Sequence, residues 1–139
     1  MQTKQEESVK QNLSKISKKL SELTAKRRKI TAKKKKSKSH ALDVVTEADL
    51  LSNNFLVQAI KNKFPEHGIL AEETGEYKPE ADYRWIIDPL DGTINFLKGV
   101  PLFCVLVALS YKGKIELAAI YDPAHDELYF AKNTQGAYL

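Results

Sequence analysis

Two carboxylates three positions apart, Asp88 and Asp91, close the apolar run at the start of WIIDPLDGTINF, residues 85–96. Aspartate oxygens, together with neighbouring carbonyls, are hard donors of the kind magnesium and manganese accept. Gly92 follows directly, and without a Cβ it lets a phosphate oxygen come close to backbone N–H groups. Upstream, Ile69, Leu70 and Ala71 run into Glu72 and Glu73 in the same way, and Asp49 stands three residues after Thr46 in DVVTEAD. Each group also has a plainer reading. Asp-Pro and Asp-Gly are common turn pairs whose acids stay solvated, and Thr46 with Asp49 has the spacing of a helix capping box. If the acids converge, a divalent cation is the simplest way to offset their repulsion. Oxygen donors without Cys or paired His favour magnesium or manganese over zinc. A cation beside a phosphate-accepting backbone implies phosphoryl chemistry.

Bringing these residues together requires strands that end at the acids. Trp85, Ile86 and Ile87 are strand formers, and Pro89 lacks the N–H a sheet ladder needs, so the strand is expected to end at Asp88 and a turn to open at Gly92 and Thr93. Thr46 is expected to cap a helix carrying Leu50, Phe55, Leu56, Ala59, Ile60 and Phe64 on one side and stopping before Pro65. His67 reads as a turn residue, since no second His or Cys stands at ligand spacing. The polar stretch Thr74 to Tyr83, with Gly75 and Pro79, is expected to be a mobile loop able to gate the site. Further on, FCVLVALS, Lys112-Gly113 and KIELAAIYD read as a hairpin. A turn at Pro123 to Asp126, the strand ELYFAK and a last strand AYL follow. Helices first and a meander later give an α+β class, N-terminal helices packed on a mostly antiparallel sheet.

The length of 139 residues and 42% hydrophobic content suit one domain, or half of a larger layered unit. Cys104, the lone cysteine, lies inside an apolar run; it excludes an internal disulfide and is the only pointer to a reducing, cytoplasmic setting. MQTKQEESVK has no apolar segment of the signal-peptide kind. The longest apolar stretch, VPLFCVLVAL, falls well short of the roughly 20 residues that span a bilayer, so no membrane partner is expected. The net charge of +4 conceals an asymmetry. Residues 1–39 hold 14 of the 22 Lys and Arg against 3 of the 18 acids, a net of +11, leaving 8 basic and 15 acidic residues, a net of −7. The chain therefore divides into a basic helical arm and linker, 1–39, and an acidic body, 40–139. Within the arm, Val9, Leu13, Ile16, Leu20 and Leu23 form a narrow helical seam expected to pack on the body or on another helix. Residues 26–38, with KRRK and KKKK, read as an extended solvated linker; the other reading is contact with nucleic acid or another polyanion.

Three segments in this order, DVVTEAD, GILAEETG and WIIDPLDGTINF, resemble the inositol monophosphatase family of magnesium-dependent, lithium-sensitive phosphomonoesterases. The similarity runs from about Lys38 to Leu139, continues through FLKGVPLFCVLVAL and AAIYDPAHDELYFA, and does not extend clearly over the basic arm. It implies the first half of the layered αβαβα fold of sugar phosphatases. It also implies hydrolysis of inositol monophosphate, or a similar phosphorylated polyol, by a metal-activated water, with Mg2+ as cofactor and Mn2+ as an alternative. Glu72 matches the glutamate of the first metal, Asp88 the aspartate bridging the first and second, and Leu90 a residue lending its carbonyl to the first. Asp91 matches a ligand of the second metal. With the N–H groups of Gly92 and Thr93 it would hold the substrate phosphate. Thr93 is similar to the threonine that, with Glu72, orients and deprotonates the attacking water. Asp49 and Thr46 match a pair near that water, and Glu73 and Lys38 match residues around a third, weaker metal position.

The departures bear equally on function. Members of the family are about twice this long, and their second half carries a Trp-Asp-x-Ala-Ala-Gly motif whose aspartate completes the second metal site. This chain reaches Leu139 without it, and the 139 residues alone are expected to bind magnesium weakly and to fall short of full activity. The first helix also differs, with a Lys-rich Leu/Ile seam where the family places small residues. Two alternatives stay open beside the phosphatase of polyol phosphates. One is a catalytically inactive scaffold contacting a polyanion through its arm, and the other is a bisphosphate-nucleotide phosphatase. Oligomeric state is also open, a homodimer being one alternative.

Overall fold

The structure is a computed structural model that describes residues 47–139, the short strands Lys33–Lys34 (β1) and Val44–Val45 (β2), and six helical positions nearer the N-terminus, Lys4, Gln5, Glu7, Val9, Gln11 and Lys15. Helix α1 spans Glu47–Lys63, and the strands that follow are β3 (Gly68–Ala71), β4 (Gly75–Tyr77) and β5 (Tyr83–Asp91). A short helix α2 (Thr93–Lys98) leads to β6 (Cys104–Tyr111), β7 (Lys114–Asp122), β8 (Glu127–Lys132) and β9 (Gly136–Tyr138). Strands β3 to β9 form one seven-stranded sheet in the order β4-β3-β5-β6-β7-β8-β9. Only β3 and β5 run parallel; every other neighbouring pair is antiparallel. The fold is thus α+β, a helix on a mostly antiparallel sheet. From Lys33 to Lys34 the basic segment pairs antiparallel with Val44 and Val45. Among the described residues no helix is long and apolar enough to cross a membrane.

Alternation along the strands decides which side of the sheet is the core. Trp85, Ile87, Val105, Val107, Leu109, Leu117, Ala119, Tyr121 and Phe130 are buried on one face, against Leu56, Val57 and Ile60 of α1. Val9 joins this cluster, which seats the N-terminal helical positions against it. The other face is apolar as well. In cross-strand register it carries Leu70, Ile86, Ala108, Ala118, Ala131 and Ala137 in a single row, with Ile120 and Tyr129 exposed beside it. Sheets apolar on both faces belong in layered folds where both are covered.

The meander follows the expected hairpins, but three local expectations are corrected. First, β5 does not end at Asp88; it continues through Pro89 to Asp91. The register with β6 shifts between Asp88 and Asp91, and at such an irregularity a residue without an N–H breaks no ladder bond. Second, the stretch expected to be loop from Thr74 onward contains β4, which pairs with β3 in register Leu70↔Glu76 and adds an edge strand of exposed residues. An Arg84–Glu76 ion pair at 3.4 Å ties that edge toward β5. Third, Leu50 lies outside the buried face of α1. That face is Ala48, Asp49, Ser52, Asn53, Leu56, Val57 and Ile60, polar in its first turns because they look onto the acid-bearing strand ends. Thr46, the expected cap, and most of the Val9–Leu23 seam lie outside the described residues.

Candidate metal centre

Parallel pairing of β3 with β5 in the register Ala71↔Ile87 makes both strands end at the same edge of the sheet. The N–H of Glu72 donates to the carbonyl of Ile87 at 3.1 Å, continuing the ladder by one residue, and so brings Glu72 beside Asp88. Their side chains hydrogen-bond to each other. Burial, then that bond and the charges of Glu72 and Asp91, push the Asp88 carboxyl up to about 7, while the Leu90 N–H works in the opposite direction. The Leu90 N–H donates to Asp88 Oδ1 at 3.3 Å.

Past the irregularity, Asp91 stands opposite Cys104 of β6, with Oδ2 3.9 Å from the thiol sulfur. Burial and the neighbouring charges of Asp91, Asp88 and Asp122 push the Cys104 thiol up to about 11, so it remains protonated and acts as a weak donor. Gly92 follows at φ 85 and precedes α2. A Cβ at this position would sit 2.7 Å from the Leu102 carbonyl oxygen, which excludes every L-residue on sterics as well as on backbone conformation. Thr93 opens α2. Its hydroxyl donates to Asp49 Oδ1 at 2.9 Å and also lies 3.3 Å from the Leu90 carbonyl. Asp49, in the first turn of α1, is fully buried and reaches the site from the opposite layer.

The edge therefore gathers Glu72, Asp88, Leu90, Asp91, Gly92, Thr93 and Asp49. Glu73 is half-buried in the β3–β4 turn next to them. Thr46 and Lys38 lie outside the described residues. Of these carboxylates, Asp88 pairs with Glu72 whereas Asp91 faces Cys104. Accordingly, among the described residues no group of three or more His, Cys, Asp or Glu is drawn close enough to hold a metal ion as they stand. The donor chemistry nonetheless fits magnesium or manganese: oxygen atoms only, carried at two adjoining strand ends, with the left-handed turn at Gly92 following the second.

Two residues that shape this edge escaped the sequence reading. Asn53 Nδ2 lies 3.4 Å from Thr74 Oγ1, linking α1 to the turn that carries Glu72 and Glu73. Cys104, placed by the sequence only inside an apolar run, is half-buried against Asp91. The signal for Asn53 was present: Asp49, Ser52 and Asn53 interrupt an otherwise apolar helix face at i, i+3 and i+4.

A sequence profile of the inositol monophosphatase family matches residues 4–139, which includes the N-terminal stretch where similarity had not been clear. The chain is 41% identical over 104 residues to the Nus factor SuhB of Escherichia coli K12, covering 74% of this chain and 39% of that protein. Among solved structures, Staphylococcal inositol monophosphatase-1 in a lithium-soaked inhibitory complex superposes with a TM-score of 0.87 at 31% identity, over 99% of this chain and 51% of that one. An IMPase/NADP phosphatase complexed with Mg2+ and phosphate gives 0.84 at 31% identity, over 98% and 50%. The chain thus spans 39% of its curated relative and about half of each solved structure. A domain match this extensive settles ancestry: the chain belongs to the inositol monophosphatase family.

Proposed function

We propose that this chain provides the cation- and phosphate-binding half of a phosphomonoesterase acting on inositol monophosphate or a similar polyol phosphate. The observation that carries the reading is the junction of the β3 and β5 ends, where the Glu72–Asp88 pair is followed along the chain by the left-handed turn at Gly92 and the Thr93–Asp49 hydrogen bond. Glu72, Asp88, Asp91 and the Leu90 carbonyl would hold magnesium or manganese, with Glu73 and Lys38 near a third, weaker position. When bound, the cation supplies Lewis-acid polarisation of the phosphate oxygens and offsets the charge of the three acids. Asp91 and the N–H groups of Gly92 and Thr93 bind the substrate phosphate. Because the Thr93 proton is committed to Asp49 Oδ1, the Thr93 oxygen keeps a lone pair for the attacking water, and Glu72 accepts that water's proton. Asp49, together with Thr46, fixes the threonine. The relative captured with Mg2+ and phosphate supports this reading.

The test is calorimetric titration of the 139-residue chain with magnesium, alongside phosphate release from inositol 1-phosphate. Weak magnesium binding that Asp88→Asn abolishes is expected, with lithium-sensitive turnover when the complementary family half is present. No heat at millimolar magnesium would overturn the proposal.

A second reading rests on the net +11 of residues 1–39 and on a relative named a Nus factor. In this reading the chain is an interaction scaffold contacting a polyanion through residues 26–38. It expects salt-sensitive binding lost on deleting residues 1–39, with no phosphate release.

A further inference from the structure

The sheet face turned away from α1 carries two parallel rows of side chains that differ in height. One row is Leu70, Ile86, Ala108, Ala118, Ala131 and Ala137, in register from β3 to β9. The second, two residues along the strands toward the carboxylate edge, is Leu106, Ile120 and Tyr129 on β6, β7 and β8. Alanine methyl groups side by side form a trough, and the three larger side chains form a ridge beside it. Between them opens a hollow of about 390 Å³, lined in part by Ala118, Ile120, Tyr129, Ala131 and Ala137. Leu70, Ile86, Ile120 and Tyr129 are exposed there, whereas Val9, the N-terminal helical position buried with the core, sits on the opposite face with α1.

Seven strands give the face a width of about 29 Å at ~4.8 Å per inter-strand step, and the two rows take up about 14 Å along the strands, so roughly 400 Å² of it is apolar. Patches of this size are commonly places of contact. Ridge beside trough makes the face complementary to itself. A two-fold axis lying between two such sheets, along the line that divides the rows, sets each strand over its own copy running the opposite way. It places Leu106, Ile120 and Tyr129 of one copy over Ala108, Ala118 and Ala131 of the other. An axis along the strands would instead lay methyl row on methyl row and ridge on ridge, leaving a gap beside a clash. Face-to-face sheets with strands within about 30° of one another are an ordinary packing. The one ionisable carboxyl in line with the ridge, Asp88 on β5, lies two strands from β7 and falls at the rim of a contact centred there. Two copies would bury about 800 Å² of flat area between them, short of the ~1,200 Å² where standard interfaces begin, which sets the expected strength in the micromolar range.

We propose that this face docks a second copy of the chain, in a two-fold pair held by Leu106, Ile120 and Tyr129 of each copy against Ala108, Ala118 and Ala131 of the other. The contact uses neither Glu72 nor Gly92 and Thr93, so it stands apart from the catalytic reading. Sedimentation of the 139-residue chain should show a monomer–dimer equilibrium with a micromolar dissociation constant. Ile120→Lys and Ala118→Glu should each dimerise at least about tenfold more weakly, since each brings two unpaired charges into the contact. Mixed one to one, they should regain most of the wild-type strength, because the ammonium introduced in one chain then faces the carboxylate introduced in the other. A wild-type chain that stays monomeric at about 100 µM, well above the dissociation constant expected here, would overturn the proposal. So would variants that dimerise as the wild type does, or a mixture no stronger than either variant alone. If a variant fails to fold, the wild type decides: the Ala118 and Ala131 methyl groups should be shielded from a soluble paramagnetic probe in concentrated solution and exposed on dilution. Shielding that persists in the dilute monomer would mean that a segment of the same chain covers the face, and would refute the pairing. Capture of the separately expressed remainder of a relative by a chain that does not self-associate would refute it as well.

Discussion

Thr93 Oγ1 lies 2.9 Å from Asp49 Oδ1, a bond that joins the helical layer to the acid-bearing edge of the sheet across 44 residues of sequence. Asp49 is 1% exposed, so its carboxylate depends on what surrounds it. Thr93→Val removes the hydroxyl at nearly constant shape and is expected to destabilise the chain by about 2 kcal/mol, the scale of a hydrogen bond to a buried charge. Thr93→Ser should stay within about 1 kcal/mol. Urea denaturation of the two variants gives the comparison, and equal midpoints would show that the bond is not structural.

Gly92 and Gly113 provide a matched pair. Both have positive φ, 85 and 82, but a Cβ on Gly92 would meet the Leu102 carbonyl at 2.7 Å whereas one on Gly113 would meet nothing within 4 Å. Gly113→Ala should therefore cost about 1 kcal/mol, the backbone penalty alone. Gly92→Ala should cost about 3 kcal/mol or more and should also weaken phosphate binding. Thermal melts in the presence and absence of phosphate separate these effects.

Asp88→Asn removes a charge from a crowded edge. In the absence of cations the variant is expected to melt at or above the wild-type temperature, while the rise in melting temperature produced by magnesium disappears. Function and stability then move in opposite directions. A variant that melts lower without cations would mean that the Glu72–Asp88 bond stabilises the edge instead of straining it.

His67 carries the pH prediction. Its ring is stacked between Phe64 at 4.9 Å and Tyr83 at 5.0 Å, and its Nδ1 accepts the Trp85 indole N–H at 3.0 Å, which assigns the ring proton to Nε2. Burial lowers its pKa from 6.5. A group with a lowered folded value takes its proton first in the unfolded chain. Its contribution is complete above about 6.5 and is lost as pH falls from there through the folded value. Urea midpoints should drop between neutral and mildly acid pH in the wild type. The drop should be smaller in His67→Gln, which does not titrate in that range.

Much of this architecture could be read from the sequence because its signals are local. Lys112-Gly113 and the Asn133 to Gly136 turn announce hairpins through glycines that accept positive φ, whereas the run CVLVALS is apolar nearly throughout and its alternation of buried and half-buried residues appears only in the fold. Pro89 misled because a residue without an N–H normally ends a strand, whereas here it falls where the register with β6 already shifts. The candidate site was legible in its residue types, since Glu72 and Asp88 each end an apolar run. The partnerships of Asp49 with Thr93 and of Asn53 with Thr74 were not, because they depend on how α1 lies over the sheet, a long-range packing choice with no local pattern.

The one parallel pair in the sheet has a consequence for the order of folding. Because β3 and β5 point the same way, Glu72 and Asp88 need only a 16-residue loop to meet, whereas Asp49 and Thr93 must close one of 44. The longer closure costs roughly 0.9 kcal/mol more by the logarithmic loop law. The acids are therefore expected to come together before the buried threonine bond forms, and the chain carries their mutual repulsion while the helix is still docking. Pulse-labelled amide exchange should find the Glu72 amide protected earlier than that of Phe96, the first backbone bond of α2. Magnesium present during refolding should then speed the chain's assembly as well as steadying its end state.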